Sequence, residues 1–232
     1  MPKSISKVLI SGALSLVCAG TAQAKVIYET FSSNIDNGYD AQGRFGPKYH
    51  SLNGDRLTVQ YKVDLGAGGV FITNGPNSTE YAGGPGSFMP APTIMEITVT
   101  VNRVSSFFGV GSNYSALFNY RYVPSGGSDS LIVNSHDNGP SFQSITNTES
   151  GVYSNTTDFL MSSAIGAPTN FTSLPGDGAI LVNDSNGFYA LTGVNSIIHV
   201  IVGTTPVSVP APASLALLGL GAGTIAARRR RR

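Results

Sequence analysis

Tryptophan is absent from this sequence, and the single cysteine, Cys18, falls among the first two dozen residues. If that stretch is removed, no thiol is left, which excludes disulfides and thiolate catalysis. Without tryptophan, sugar stacking falls to tyrosines such as Tyr39, Tyr49 and Tyr81, which counts against a carbohydrate-processing groove. Charge is also scarce, at 12% of residues. The three histidines, His50, His136 and His199, stand far apart, so no H-E-x-x-H pair exists, and no G-x-S-x-G elbow occurs. No segment sustains a 3.6-residue apolar stripe, and no repeat of fixed period is present, which argues against a helical domain, a solenoid or a propeller.

What is present begins with a secretory leader. Lys3 and Lys7 precede an apolar stretch from Val8 to Ala19, and Ala22-Gln23-Ala24 forms an A-x-A cleavage site. Residues 1–24 are therefore expected to be a signal peptide, with Ala22 and Ala24 as its processing residues. Val17 is not the small residue that a lipoprotein signal needs before its cysteine.

The other end has three parts in fixed order: Val209-Pro210-Ala211-Pro212, an uncharged run from Ala213 to Ala227, and Arg228, Arg229, Arg230, Arg231 and Arg232. A 15-residue helix reaches only about 22 Å, short of a hydrocarbon core of about 30 Å. Pro210 and Pro212 bar its regular extension toward the N-terminus. Such a segment spans only with arginine snorkelling and local thinning of the bilayer, as a temporary anchor. The arginines keep the cytoplasmic side, leaving everything before Pro210 outside. An ordinary C-terminal membrane anchor is the alternative.

Val-Pro-x-Pro, then Leu215-Ala-Leu-Leu-Gly-Leu-Gly221, then the arginine cluster, resembles the PEP-CTERM sorting signal. Ala211 stands where that motif carries glutamate. The resemblance implies cleavage near the proline motif by an exosortase, a membrane-embedded processing enzyme. It also implies a Gram-negative host that makes exopolysaccharide. The inner membrane is then a transient partner through the C-terminal helix, and the final location is the cell surface or the medium.

With both ends set aside, residues 25–206 carry seven basic and thirteen acidic residues, a net charge of −6. That argues against nucleic acid or anionic lipid as partners of this part. Its length is enough for one domain with a substantial core. Leu57, Val59, Tyr61, Val63 and Leu65 alternate with polar residues, as do Met95, Ile97, Val99 and Val101. Phe118, Tyr120 and Tyr122 share one side, with Asn119 and Arg121 on the other. Ala179 to Val182 and Phe188 to Leu191 flank the turn sequence Asn183–Gly187, a hairpin pattern. Residues 195–202 form an almost wholly apolar closing strand. Weaker strands are expected at Val26 to Phe31, Val70 to Thr73 and Leu131 to Asn134.

The expected fold is all-β, a single antiparallel sandwich of jelly-roll type over residues 25–206. Leu57, Val59, Tyr61, Phe118, Tyr120, Ile197 and Ile201 should lie in its core. Long loops are expected at Asn34 to Asp55, Asn74 to Pro92 and Ser135 to Gly151, and at most two helical turns at Asp158 to Ile165. Residues 204–212 read as a proline-rich spacer that holds the cleavage site away from the domain.

No catalytic residue, metal site or cofactor is expected. Asn34 to Asp40 and Asn183 to Gly187 gather oxygen ligands and raise a calcium alternative, but Asx-Gly runs serve turns for local reasons. His199 reads as a core or edge histidine and His136 as part of a solvated turn. The expectation is a non-enzymatic exported surface or matrix protein associated with exopolysaccharide or biofilm. A carbohydrate-binding module is the alternative, and a secreted hydrolase a further one.

Overall fold

The computed structural model describes residues 26–66, 70–75, 77–83, 94–108, 114–121, 129–138, 144–160, 162–193 and 195–208. Ala22, Ala24, Tyr122, the Val209–Pro212 motif, the apolar run and the five arginines lie outside the described residues. So do the side chains of Tyr120 and His136.

The described residues are all-β. In chain order the strands are β1 Val26–Asn34, β2 Asn37–Asp40, β3 His50–Ser51, β4 Arg56–Asp64, β5 Val70–Asn74, β6 Ser78–Gly83, β7 Ile94–Val101 and β8 Val104–Phe108. They continue as β9 Tyr114–Tyr120, β10 Asp129–Asn138, β11 Ser144–Ser154, β12 Thr169–Thr172, β13 Gly178–Asp184, β14 Phe188–Thr192 and β15 His199–Gly203. They form a six-stranded sheet ordered β12-β15-β1-β4-β7-β8 and a nine-stranded sheet ordered β3-β2-β14-β13-β11-β10-β9-β6-β5. Every pairing is antiparallel.

Period-2 patterning explains β4, where Leu57, Val59, Tyr61 and Val63 are fully buried between half-buried polar neighbours. Hydrogen-bonded to β1 and β7, it lies inside its sheet. Opposite it, Ile97, Val99 and Val101 point inward as expected, but Met95 does not. The register slips between Lys62 and Val63, so β7 holds one extra residue at that point. This bulge turns Ile94 into the core and leaves Met95 48% exposed.

Two further face assignments differ from the sequence reading. On β9, Leu117 and Asn119 point into the core and Phe118 is half-buried. In the closing segment, Ile198, Val200 and Val202 are buried, whereas Ile197 is 52% exposed and Ile201 half-buried. The closing segment is apolar on both faces, so alternation could not select one and its partners did. On β9 alternation favoured the Phe118 side, but pairing with β6 and β10 turns Leu117 and Asn119 inward.

The expected loop at Ser135 to Gly151 is instead most of the long β10–β11 hairpin. Its inward residues on β11 are Thr148, Ser150 and Val152, so the buried face has no apolar period to read. The stretches Asn34 to Asp55 and Asn74 to Pro92 likewise contain β2, β3 and β6. Residues 158–160 and 162–165 contain no helix.

The two sheets enclose one apolar core. Phe31 and Tyr61 meet edge to face at 6.0 Å, and the Tyr61 hydroxyl lies 2.8 Å from Ser150 Oγ on the other sheet. Near β14, Phe188 packs 4.9 Å from Phe45 and 5.3 Å from Phe108. The Arg44 guanidinium covers that cluster, 4.5 Å from the Phe108 ring centre and 2.8 Å from Asp184 Oδ2.

Candidate functional site

At the end of the six-stranded sheet where β1 finishes and β4 and β15 begin, a cleft of about 510 Å³ opens. Ser33 and Asn34 come from the end of β1 and Asp36 from the residues after it. Arg56 opens β4, Thr172 closes β12, and Asn195, Ser196, Ile197 and His199 lead into β15. Its lining is mainly hydroxyls and amides, with one carboxylate, one guanidinium and one imidazole.

Hydrogen bonds order several of these groups. Asp36 Oδ2 accepts from the Gly193 amide and, at 2.8 Å, from Ser196 Oγ. A side chain at Gly193 would put its Cβ 3.0 Å from that same oxygen, so glycine keeps the approach open. Ser33 Oγ donates to the Ile197 carbonyl at 2.8 Å, tying β1 to the loop. Arg56 Nη2 donates to Ser32 Oγ at 2.9 Å, and its amide to Asn102 Oδ1 at 3.0 Å. The ion pairs among the described residues are Arg44–Asp184 and Arg121–Asp158, so Arg56 brings positive charge to the cleft without a carboxylate partner. His199 Nδ1 lies 2.9 Å from Thr172 Oγ1. Rather than a core position, His199 occupies the outward side of β15, half-buried at the cleft.

A second depression, of about 350 Å³, lies along β10, β11 and β13. Ile132, Glu149, Gly151, Tyr153 and Ala179 line it, and Gly151 leaves room that a side chain would take from Ile132. The Tyr153 ring is 41% exposed and its hydroxyl donates to the Gly176 carbonyl.

The two loops that gather oxygen ligands spend them on the backbone. Asp40 is fully buried and accepts from the amides of Gly43 at 2.9 Å and Phe45 at 2.7 Å. Asp184 Oδ1 accepts from Asn186 and Phe188, both at 2.9 Å, while its other oxygen meets Arg44. Among the described residues, no three of His, Cys, Asp and Glu converge as metal ligands. His50 Nδ1 bonds the Pro47 carbonyl.

Two acids are shifted upward. Glu29 points into the core from β1, fully buried, with neither carboxyl oxygen bonded, and burial pushes its pKa up to about 8. Beside it, burial pushes the Tyr61 phenol up to about 12, against its hydrogen bond to Ser150. Elsewhere, burial and the neighbouring Asp158 raise Asp129, whose Oδ2 accepts from the Leu160 amide at 2.6 Å. Arg121, 3.3 Å away, holds Asp158 below the usual carboxylate range. That pair caps a chain turn and lies in neither depression.

Described structure ends at Ser208, one residue before the proline motif. Residues 208–232 match the family model described as the PEP-CTERM protein-sorting motif. The chain carries this sorting motif. The motif implies export, transient membrane anchoring and processing by an exosortase. No curated protein matches the chain, and no solved structure matches it.

The sequence therefore led to the tail, but not to the cleft. Of the cleft residues, it singled out His199, Ile197 and, within the Asn34 to Asp40 run, Asn34 and Asp36, and these for other reasons. Arg56, Thr172, Asn195 and Ser196 carry no local motif, and only the meeting of β1, β4, β12 and β15 brings them together.

Proposed function

We propose that this is a non-enzymatic surface or matrix protein of an exopolysaccharide-producing bacterium. Residues 25–206 form a β-sandwich of jelly-roll type, which the leader at 1–24 delivers to the outside. An exosortase then removes the C-terminus near Val209, Pro210, Ala211 and Pro212. Arg228 to Arg232 hold the apolar run in place until cleavage. The observation that carries this reading is the match of residues 208–232 to the sorting motif.

Intact-mass measurement tests it. In an exosortase-containing host the exported protein should lack both the leader and the five arginines. A mass that still includes the arginines would replace this reading with a permanent anchor.

The polar cleft supports a second reading, that of a carbohydrate-binding module. Its hydroxyls and amides offer paired donors and acceptors for sugar hydroxyls, and Arg56 offers a fork for an acidic group. Binding of host exopolysaccharide should then weaken at least tenfold in Arg56→Ala. Unchanged binding would remove the cleft from consideration. A hydrolase gains less support, since each depression is lined by a single carboxylate, Asp36 or Glu149.

A further inference from the structure

After β15 the chain turns back over the six-stranded sheet instead of leaving it. Gln60 Nε2, on the outward side of β4, donates to the Val207 carbonyl at 3.3 Å and to Thr30 Oγ1 at 3.1 Å. Val207 is half-buried, and Thr30 is only 4% exposed although it alternates with the inward residues Glu29 and Phe31. A hydroxyl on an outer face becomes that inaccessible when something lies over it. The returning segment and Gln60 are placed to do so. The contact falls on β4, an interior strand, so the chain departs from within the face and not from its rim.

Val207 directly precedes the residues that match the sorting motif. From Val207 to Ala213, where the apolar run begins, the chain advances six residues. Even fully extended, these reach only about 20 Å. A domain of this size has a radius of gyration of about 16 Å, hence a diameter near 40 Å. So short a leash, fixed within one face, leaves the opposite face pointing away from whatever holds the run.

We infer that in the uncut protein the outer face of the six-stranded sheet is turned toward the membrane, with Gln60 positioning the chain's exit. The inference rests on the sorting-signal reading, because it takes the apolar run to be in the bilayer. It also corrects the expected spacer. Val207 is hydrogen-bonded to the sheet, so the leash begins only after it.

The test uses full-length protein, leader removed and C-terminus uncut, reconstituted into phosphatidylethanolamine/phosphatidylglycerol vesicles with acceptor-labelled headgroups. The mature chain lacks cysteine, so one donor dye is attached at Phe107→Cys, paired with Thr98 on the same face, or at Ala179→Cys on the other sheet. Energy transfer from position 107 should exceed that from position 179 several-fold. Gln60→Ala should shrink the difference below twofold. So should a five-residue Gly-Ser insertion between Ser208 and Val209, which does not touch the sheet. Equal transfer from both positions in the parent protein would overturn the inference, as would a difference that survives both changes. Failure of the protein to float with the vesicles would overturn the sorting-signal reading as well, and flotation reads that separately.

Discussion

Glu29 is the residue whose ionisation matters most for stability. Its carboxyl is buried without a partner, and its folded pKa lies near 8 against an ordinary value of 4.5. The folded state thus holds this proton more tightly than the unfolded chain does. Its contribution is complete below about pH 4.5 and falls by about 1.4 kcal/mol per pH unit up to about pH 8, then levels off. Tyr61, paired with Glu29 across β1 and β4, adds negative charge nearby only near pH 12. Glu29→Gln removes the proton from the balance. Its denaturation free energy relative to the parent should therefore rise steadily from pH 4 to pH 8. A constant difference would mean that Glu29 is already ionised and solvated. Asp40 poses a simpler test. Its buried carboxylate holds the Gly43 and Phe45 amides and so the loop that seats Phe45 in the core, and Asp40→Ala should cost about 2 to 4 kcal/mol in urea unfolding.

At the scale of an element, the two residues that lead into β15 give the sharpest test of which face is inside. Ile198 is fully buried and Ile197 is 52% exposed, yet they are adjacent and identical. Ile198→Ala should cost about 2 to 5 kcal/mol, and Ile197→Ala no more than about 0.5 kcal/mol. Similar losses from both would mean that the lead-in to β15 has no fixed facing. The β7–β8 hairpin shows why some elements escape a sequence reading. Its turn residues, Asn102 and Arg103, both take positive φ, 46° and 75°, the conformation that two-residue hairpins require. Asparagine adopts it readily, but arginine is not a turn signal, so Val104–Phe108 was not expected as a strand. In β11 the hidden signal was different: Thr148 and Ser150 occupy the core face, and polar residues break the apolar alternation.

For the whole molecule, redox behaviour follows from composition. If residues 1–24 are removed as the proposed leader, no thiol remains, so the melting temperature of the exported protein should be the same with and without reductant. A drop on adding thiol would mean that Cys18 is retained and paired. The sorting tail was legible because such a signal works as a linear sequence: a proline motif, an apolar run and a cluster of positive charge in order. All-β character was equally legible, because alternation in β4 and β7 and the turn at Asn183–Gly187 act through neighbouring residues. The sequence by itself determined those properties. Facing was decided elsewhere. Which side of residues 197–202 is buried depends on the elements packed beside them, because apolar side chains occur on both sides, and on β9 strand pairing overrode the aromatic side that alternation favoured. The bulge opposite Lys62 and Val63, which turns Met95 outward, is likewise a property of two strands together. The cleft belongs wholly to tertiary structure. Asp36, Arg56, Thr172 and His199 are separated by up to 163 positions and share a site because β1 and β15 are hydrogen-bonded neighbours.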